Sequence, residues 1–351
     1  MLRFIIKRLS YGVLVMFGVT TVIFFIFHAL PGDPVSMMAG AKTDSTTIEN
    51  IKKELGLNKP LHKQYLLYIN DLSFISIYKN TPENEEKYEY SPIVELGENN
   101  VLVIKQPYLR RSFQTNRRVD EVLMENLEGT LVLAFTAMLF ATIVGIALGI
   151  FAALRQNTFF DHFIISSSVI GISAPSFVAA VIISMIFGHY LREYTGLNLT
   201  GRLWVTTIYG EELQLKNLIL PAFTLGIRPL SIIIQLTRSS MLDVLSQDYV
   251  RTARAKGLKF RKVVAKHALK NALNPVITAV SGWLATLMGG AFFIEWVFNW
   301  QGIGFETIKS IGNLDFPIVM GATLLIALIF VIVNIIVDIL YATIDPRIRL
   351  G

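Results

Sequence analysis

The residues of this chain that could do chemistry are few, and most of them are basic. From Arg238 to Pro275 there are nine Lys/Arg (Arg238, Arg251, Arg254, Lys256, Lys259, Arg261, Lys262, Lys266, Lys270) against Asp243 and Asp248. Three more ionisable residues, Arg228, Glu295 and Asp338, lie within or at the ends of long apolar runs. A charge in such a run is costly and is a functional candidate by default. Arg228 calls for a water-filled cavity or a carboxylate, whereas Glu295 and Asp338 can reach interfacial water. The five His (His28, His62, His162, His189, His267) show no ligand spacing, and there is no Cys. Disulfides, cysteine metal sites and thiol catalysis are therefore excluded. No GxxxxGK[ST], HExxH or GxSxG pattern occurs, so the chain has no P-loop of its own and no recognisable hydrolase nucleophile. No catalytic, cofactor-binding or metal residue is assigned.

The basic loop divides in two. Ser246 is placed to cap a short helix with Asp248 in its first turn, where the helix dipole favours negative charge. The helix runs on through Tyr249, Val250, Arg251, Thr252, Ala253, Arg254, Ala255 and Lys256, and Gly257 offers the left-handed conformation that ends it. A second helix begins near Lys259. Phe260, Val263, Val264, His267, Ala268 and Asn271 share one of its faces, and Lys259, Arg261, Lys262, Lys266 and Lys270 lie largely on the others. Anionic lipid headgroups account for a basic amphipathic helix, but not for the Ala253/Gly257 pair or the compact break.

The elements that position these residues are apolar. Hydrophobic residues make up 53% of the 351 and charged residues 17%, against about 25% charged in soluble domains, and mean hydropathy is +0.52. The expected fold is an all-α polytopic membrane protein. A crossing helix needs about 20 apolar residues, and six runs qualify: Leu9 to Leu30, Leu127 to Leu154, Phe163 to Tyr190, Leu218 to Leu236, Leu273 to Phe298 and Ile318 to Tyr341. The first follows Arg3, Lys7 and Arg8 as a signal peptide would, but it is too long and lacks a cleavage site. Six spans put both termini in the cytoplasm. The basic loop, Arg155, and the tail residues Arg347 and Arg349 then fall inside, as the positive-inside tendency requires. The net charge of +6 reflects those loops, not nucleic acid. Ala141, Gly145, Gly149 and Ala153 form a small-residue face on the second run, either for packing within the chain or for a subunit interface lining a pathway.

The domains expected are 1–30 (tail and first span), an extracytoplasmic segment 31–126, a five-helix core 127–345 with the loop 241–272, and a tail 346–351. Segment 31–126 holds 12 Lys/Arg and 14 Asp/Glu. Thr47 to Leu55 and Leu61 to Leu72 read as helices, and Thr81 to Lys87 as a solvated loop. Ile93–Leu96 and Val101–Ile104 flank a four-residue turn, predicting a β-hairpin near 91–105. An isolated hairpin is marginal, so it packs on its own helices or on a partner.

The stretch Asp248-Tyr249-Val250-Arg251-Thr252-Ala253-Arg254-Ala255-Lys256-Gly257-Leu258 resembles the cytoplasmic loop of permease subunits of binding-protein-dependent ABC importers, in the dipeptide, oligopeptide and nickel branch. Arg251 stands where the general Glu-Ala-Ala-x-x-x-Gly pattern has Glu, while Ala253 matches its second Ala and Gly257 its Gly. His267-Ala268-Leu269-Lys270-Asn271-Ala272-Leu273, Leu30 to Pro34, Leu55 to Leu61, Arg111-Ser112-Phe113, Glu295 through Gly302-Ile303-Gly304, and Asp345-Pro346-Arg347 are also similar to that branch. The departure is about residues 77–106, where the family has a shorter connection.

The resemblance implies a non-catalytic transport subunit of a bacterial or archaeal cytoplasmic membrane, importing peptides or, alternatively, nickel or another small solute. Its implied partners are a homologous second permease, two cytoplasmic ATPases that bind ATP and magnesium, and an extracytoplasmic substrate-binding protein. Asp248, Tyr249, Arg251, Thr252, Ala253, Arg254, Ala255, Lys256 and Gly257 are then the ATPase-coupling helix, and Arg228 is a candidate pathway residue. A self-contained secondary transporter would instead need midplane ion sites, typically in inverted repeats, and no repeat is seen.

Overall fold

The computed structural model describes residues 2–29, 52, 56–97 and 99–344. The expected helix Thr47 to Leu55 apart from residue 52, the stretch Leu30 to Pro34, the ending Asp345-Pro346-Arg347 and the tail lie outside the described residues. Chain order runs α1 (Leu2–Ala29), α2 (Leu61–Leu72), β1 (Ile75–Lys79), α3 (Pro82–Tyr88), β2 (Ser91–Leu96), β3 (Asn100–Ile104), α4 (Val119–Leu154), α5 (Phe159–Ser173) and α6 (Ser176–Met185). It continues through β4 (Trp204–Thr207), β5 (Gly210–Leu213), α7 (Lys216–Leu245), α8 (Asp248–Ala255), α9 (Asn274–Gly290), α10 (Phe292–Val297), α11 (Ile303–Gly312) and α12 (Phe316–Ile344).

Among the described residues four stretches, Ile6–His28, Val119–Leu154, Lys216–Leu245 and Phe316–Ile339, are long and apolar enough to cross a membrane. Two bent pairs raise the number to as many as six: Phe159–Ser173 with Ser176–Tyr190, bent by 112°, and Phe260–Ala272 with Asn274–Gly289, bent by 49°. The third run is therefore not one straight helix. Pro175 has no N–H to give and forces Ala174 into an extended conformation (ψ 129°). The fifth run also departs from expectation, because its helix stops at Gly290 and a separate α10 follows. Consecutive glycines at 289 and 290 weaken a helix there. Pro221 and Pro229, in contrast, are both buried inside an unbroken α7.

Two compact units divide the chain, one built chiefly on Asn126–Phe305 and the other on Gly12–Glu125 with Glu306–Ala327. In the second, Phe24, Tyr68 and Leu324 form a buried cluster, and Asp315 accepts from Ser112 Oγ at 2.5 Å and from the Phe113 amide at 3.0 Å. The expected hairpin is present as β2 and β3, but β1 adds a third strand on the other side of β3, giving the order β1-β3-β2. Three strands can hold what two cannot. The stretch read as a loop is α3: Thr81 Oγ1 accepts from the Asn84 amide, Pro82 opens the helix, and Glu83 and Glu85 lie in its first turn. Tyr78 stacks on Tyr88 at 4.1 Å, and Lys105 Nζ donates to the buried Asp71 carbonyl. Burial pushes the Lys105 ammonium down to about 8 and raises the Asp71 carboxyl.

In the larger unit the small-residue face of α4 meets α7. A Cβ on Gly145 would come within 2.7 Å of Ile233, and one on Gly149 within 2.6 Å of Thr237 and 2.8 Å of the Ile234 carbonyl. That face packs within the chain. Gly149→Ala therefore overpacks a closed contact and lowers stability by about 1–3 kcal/mol. Gly282→Ala, where a Cβ meets nothing within 4 Å, raises it by up to about 1 kcal/mol through helix propensity. Thermal unfolding in detergent measures both; equal melting points for the two variants contradict the packing.

Candidate functional site: the loop helix, its supports and an arginine cleft

Helix α8 begins at Asp248 with Gln247, not Ser246, at its N-cap. Ser246 closes α7, its Oγ donating to the Asp243 carbonyl at 2.7 Å. The hydroxyl turned back to α7 because the helix runs through Leu245, several residues past the end expected at Leu236. Gly257 does end the short helix, at φ +76°, with its amide donating to the Arg254 carbonyl at 2.9 Å.

Ala253 faces inward. It and Val250 are buried against Val263, with Leu245 and Leu258 at the edge. The exposed face is Tyr249, Arg251, Thr252, Arg254, Ala255 and Lys256, with Asp248 at one end and Gly257 at the other. Arg251 and Asp248 are 3.5 Å apart but both exposed, so their pairing adds little. Two contacts tie the helix to the next segment: Asn271 Nδ2 donates to Tyr249 Oη at 2.9 Å, and the Arg254 guanidinium lies 5.1 Å from the Phe260 ring centre. Phe260 and Asn271 are themselves exposed, contrary to the one-face expectation. A single-turn π-helix at Val264–Ala268 rotates the face, so that Val264, Ala268 and Ala272 reach Met241 of α7 and Ala153 of α4. The exposed cationic helix thus stands on apolar contacts that lead directly to the ends of two spans.

Beside this base lies a bidentate ion pair: Arg238 donates to Asp161 through Nε at 2.5 Å and Nη2 at 2.7 Å, and the Asn157 amide adds a third bond at 2.9 Å. Sequence reading counted Arg238 with the loop charges and overlooked Asp161. The available signal was an acid in the first turn of an apolar helix.

Glu295 does not reach interfacial water. It is fully buried; Thr130 Oγ1 donates to it at 2.7 Å and the Phe305 amide at 2.9 Å. The Gly304 amide donates as well, while the Ile303 amide donates to Thr130 Oγ1 at 2.9 Å. Glu295 and Thr130 together cap the N-terminus of α11, where free N–H groups and the dipole favour an anion. Gly302 and Gly304 are required there, because a Cβ on either would run into the carboxylate. Asp338 pairs with Arg8 at 3.0 Å.

Arg228 lies some 25 Å along α7 from its last residue, so it is not part of the loop helix. Its Nη2 donates at 3.3 Å to the carbonyl of Ala174, at the break between α5 and α6. Ser176, Thr224, Trp283 and Thr286 line a cleft with it. Among the described residues no carboxylate pairs with it.

The fold of this helical membrane chain has a solved counterpart. A chain of the MetNI methionine ABC transporter, in inward-facing conformations, superposes with a TM-score of 0.50, covering 64% of this chain and 97% of that one at 16% identity. The chain belongs to the family of binding-protein-dependent transport system inner membrane components, whose model matches residues 145–350, with the family's N-terminal model matching 1–86. The dipeptide transport system permease protein DppB of Alkalihalophilus pseudofirmus is 35% identical over 99% of this chain and 100% of its own length. The glutathione transport system permease protein GsiC of Salmonella paratyphi A is 34% identical over 99% of both chains.

Removing the Glu295 carboxylate leaves three buried donors unpaired, each at about 1–3 kcal/mol. Glu295→Ala therefore destabilises by about 3 kcal/mol or more. Glu295→Gln is also destabilising, because its amide N–H₂ faces donors. A melting temperature for Glu295→Ala equal to that of the native protein contradicts the capping arrangement.

Proposed function

We propose that this chain is one half of the translocation pathway of an ATP-driven importer of di- or oligopeptides, and that the exposed face of Asp248–Gly257 is where the motor subunit docks. The observation that carries the reading is the position of α8. It presents an exposed, cationic, partly aromatic face, yet its other side, Val250 and Ala253, is locked to Val263. A push on α8 therefore reaches the ends of α4 and α7 through side chains already in contact. The full-length similarity to a dipeptide permease and a glutathione permease supports peptides over nickel as the solute.

In this reading the chain crosses the bacterial or archaeal cytoplasmic membrane six times, the two bent pairs each counting once, with both termini inside. Segment 31–126 lies outside, where a substrate-binding protein delivers solute. A homologous permease supplies the other half of the pathway. Two ATPases bind ATP and magnesium, and this chain performs no catalysis. ATP binding changes the pathway only through its different affinity for two states of the assembly, and α8 carries that difference inward.

Ala255 is the exposed small residue of α8, so a larger side chain there blocks docking without disturbing the fold. Ala255→Glu is expected to leave the amount of protein in the membrane and its melting temperature unchanged. Peptide uptake falls more than tenfold, and the ATPase subunits are lost on mild detergent extraction. Normal uptake with retained ATPase subunits sinks the docking assignment.

A further inference from the structure

Arg228 lies twelve residues into α7, about 18 Å along the axis from Lys216. The helix break at Pro175 brings the Ala174 carbonyl to it, and that bond uses one of the five guanidinium donors. The acceptor is neutral, so among the described residues the positive charge is left unbalanced. Three other charges in the described helices are balanced locally: Arg238 by Asp161, Asp338 by Arg8, and Glu295 by the N-terminus of α11. An arginine in an apolar span is expensive unless it pairs or faces a watery cavity.

The space in front of Arg228 has the character of a small-molecule site. Its lining is mostly apolar with a few placed polar groups, as in ligand pockets generally. Trp283 offers an apolar face, and Ser176, Thr224 and Thr286 bring hydroxyls to the lining; of these, the Thr224 hydroxyl is already donated to the Leu220 carbonyl and the Thr286 hydroxyl to the Gly282 carbonyl. A guanidinium fork matches a carboxylate with two parallel bonds, a geometry that ammonium cannot reproduce.

We propose that the Arg228 cleft is a transit site for the solute, in which the guanidinium takes the C-terminal carboxylate of the peptide and Trp283 supports its side chains. This rests on peptide import as the function. Binding in the cleft cannot be tight, because a pathway site must release what it receives; one charge-assisted contact and one aromatic face suit that need.

The test uses the whole importer reconstituted in liposomes, with its binding protein kept saturated by alanyl-phenylalanine or by the C-terminal amide of the same dipeptide. The native importer is expected to take up the acid about tenfold faster than the amide, the value of one charged hydrogen-bond pair. Arg228→Gln lowers uptake of the acid about tenfold and of the amide far less, bringing the ratio near one. Arg228→Lys keeps part of the preference. An unchanged acid-to-amide ratio in Arg228→Gln overturns the proposal, and so does an equal loss for both ligands, which marks Arg228 as a partner for an acid of the second permease. Should Arg228→Gln fail to assemble, the native ratio alone decides, since equal uptake of acid and amide excludes carboxylate recognition. If the native importer moves neither peptide but does move another solute, the peptide function fails and this site with it; native peptide uptake with an insensitive ratio removes only the site.

Discussion

Polar groups inside an apolar surround must find their partners within the protein, because no water is there to supply them. The arrangement of this chain follows from how that constraint is met at three places. At Pro175 the broken helix frees a carbonyl, and Arg228 comes to it from α7. At Glu295 a buried carboxylate would be untenable alone, so the first turn of α11 and the Thr130 hydroxyl are gathered around it. At Asp161 the carboxylate is held by the Arg238 fork and a backbone amide. Each solution joins elements that are far apart in sequence. These bonds, with the close approach that Gly145 and Gly149 allow between α4 and α7, fix which helices are neighbours.

The same constraint separates rigid parts from exposed ones. The carboxylates of Glu295 and Asp161 are each satisfied, and a satisfied buried network is costly to break. The charges of α8 are in the opposite situation: exposed, weakly paired and surrounded by backbone that ends in a left-handed glycine. A helix of eight residues is too short to be stable by itself, so α8 exists because Val250 and Ala253 are buried. Its outward face is therefore free to be chosen for a partner, while its inward face is committed to the spans. Such a division suits an element that must transmit a push without deforming.

Much of this was legible in the sequence, though unevenly. Run lengths of about 20 apolar residues disclosed four long apolar helices and two bent pairs, and Gly257 disclosed the end of α8, because both depend on local composition. The break at Pro175 was not foreseen, since proline is compatible with both a kink and a stop, and tertiary packing decides; Pro221 and Pro229 remain inside a helix. The helix at Pro82–Tyr88 was missed although Thr81, Pro82 and the acids form a good start signal; its high charge obscured it. The third strand, Ile75–Lys79, was missed because its pairing partner β3 lies about 20 residues further on. The partners of Glu295 and Asp161 were beyond reach for the same reason: contacts of 165 and 77 residues' separation leave no trace in spacing. The direction of Ala253 was not legible, because an eight-residue helix with two small residues does not reveal which one is covered.

The chain contains no cysteine, so a single Ala255→Cys substitution gives one reactive thiol at the centre of the exposed face of α8. Its rate of modification by a membrane-impermeant maleimide in inverted membrane vesicles, with and without the ATPase subunits, tests the docking of α8 directly. Docking predicts rapid labelling of the permease alone and protection of at least tenfold when the ATPase subunits are present. Equal labelling rates in the two preparations contradict it.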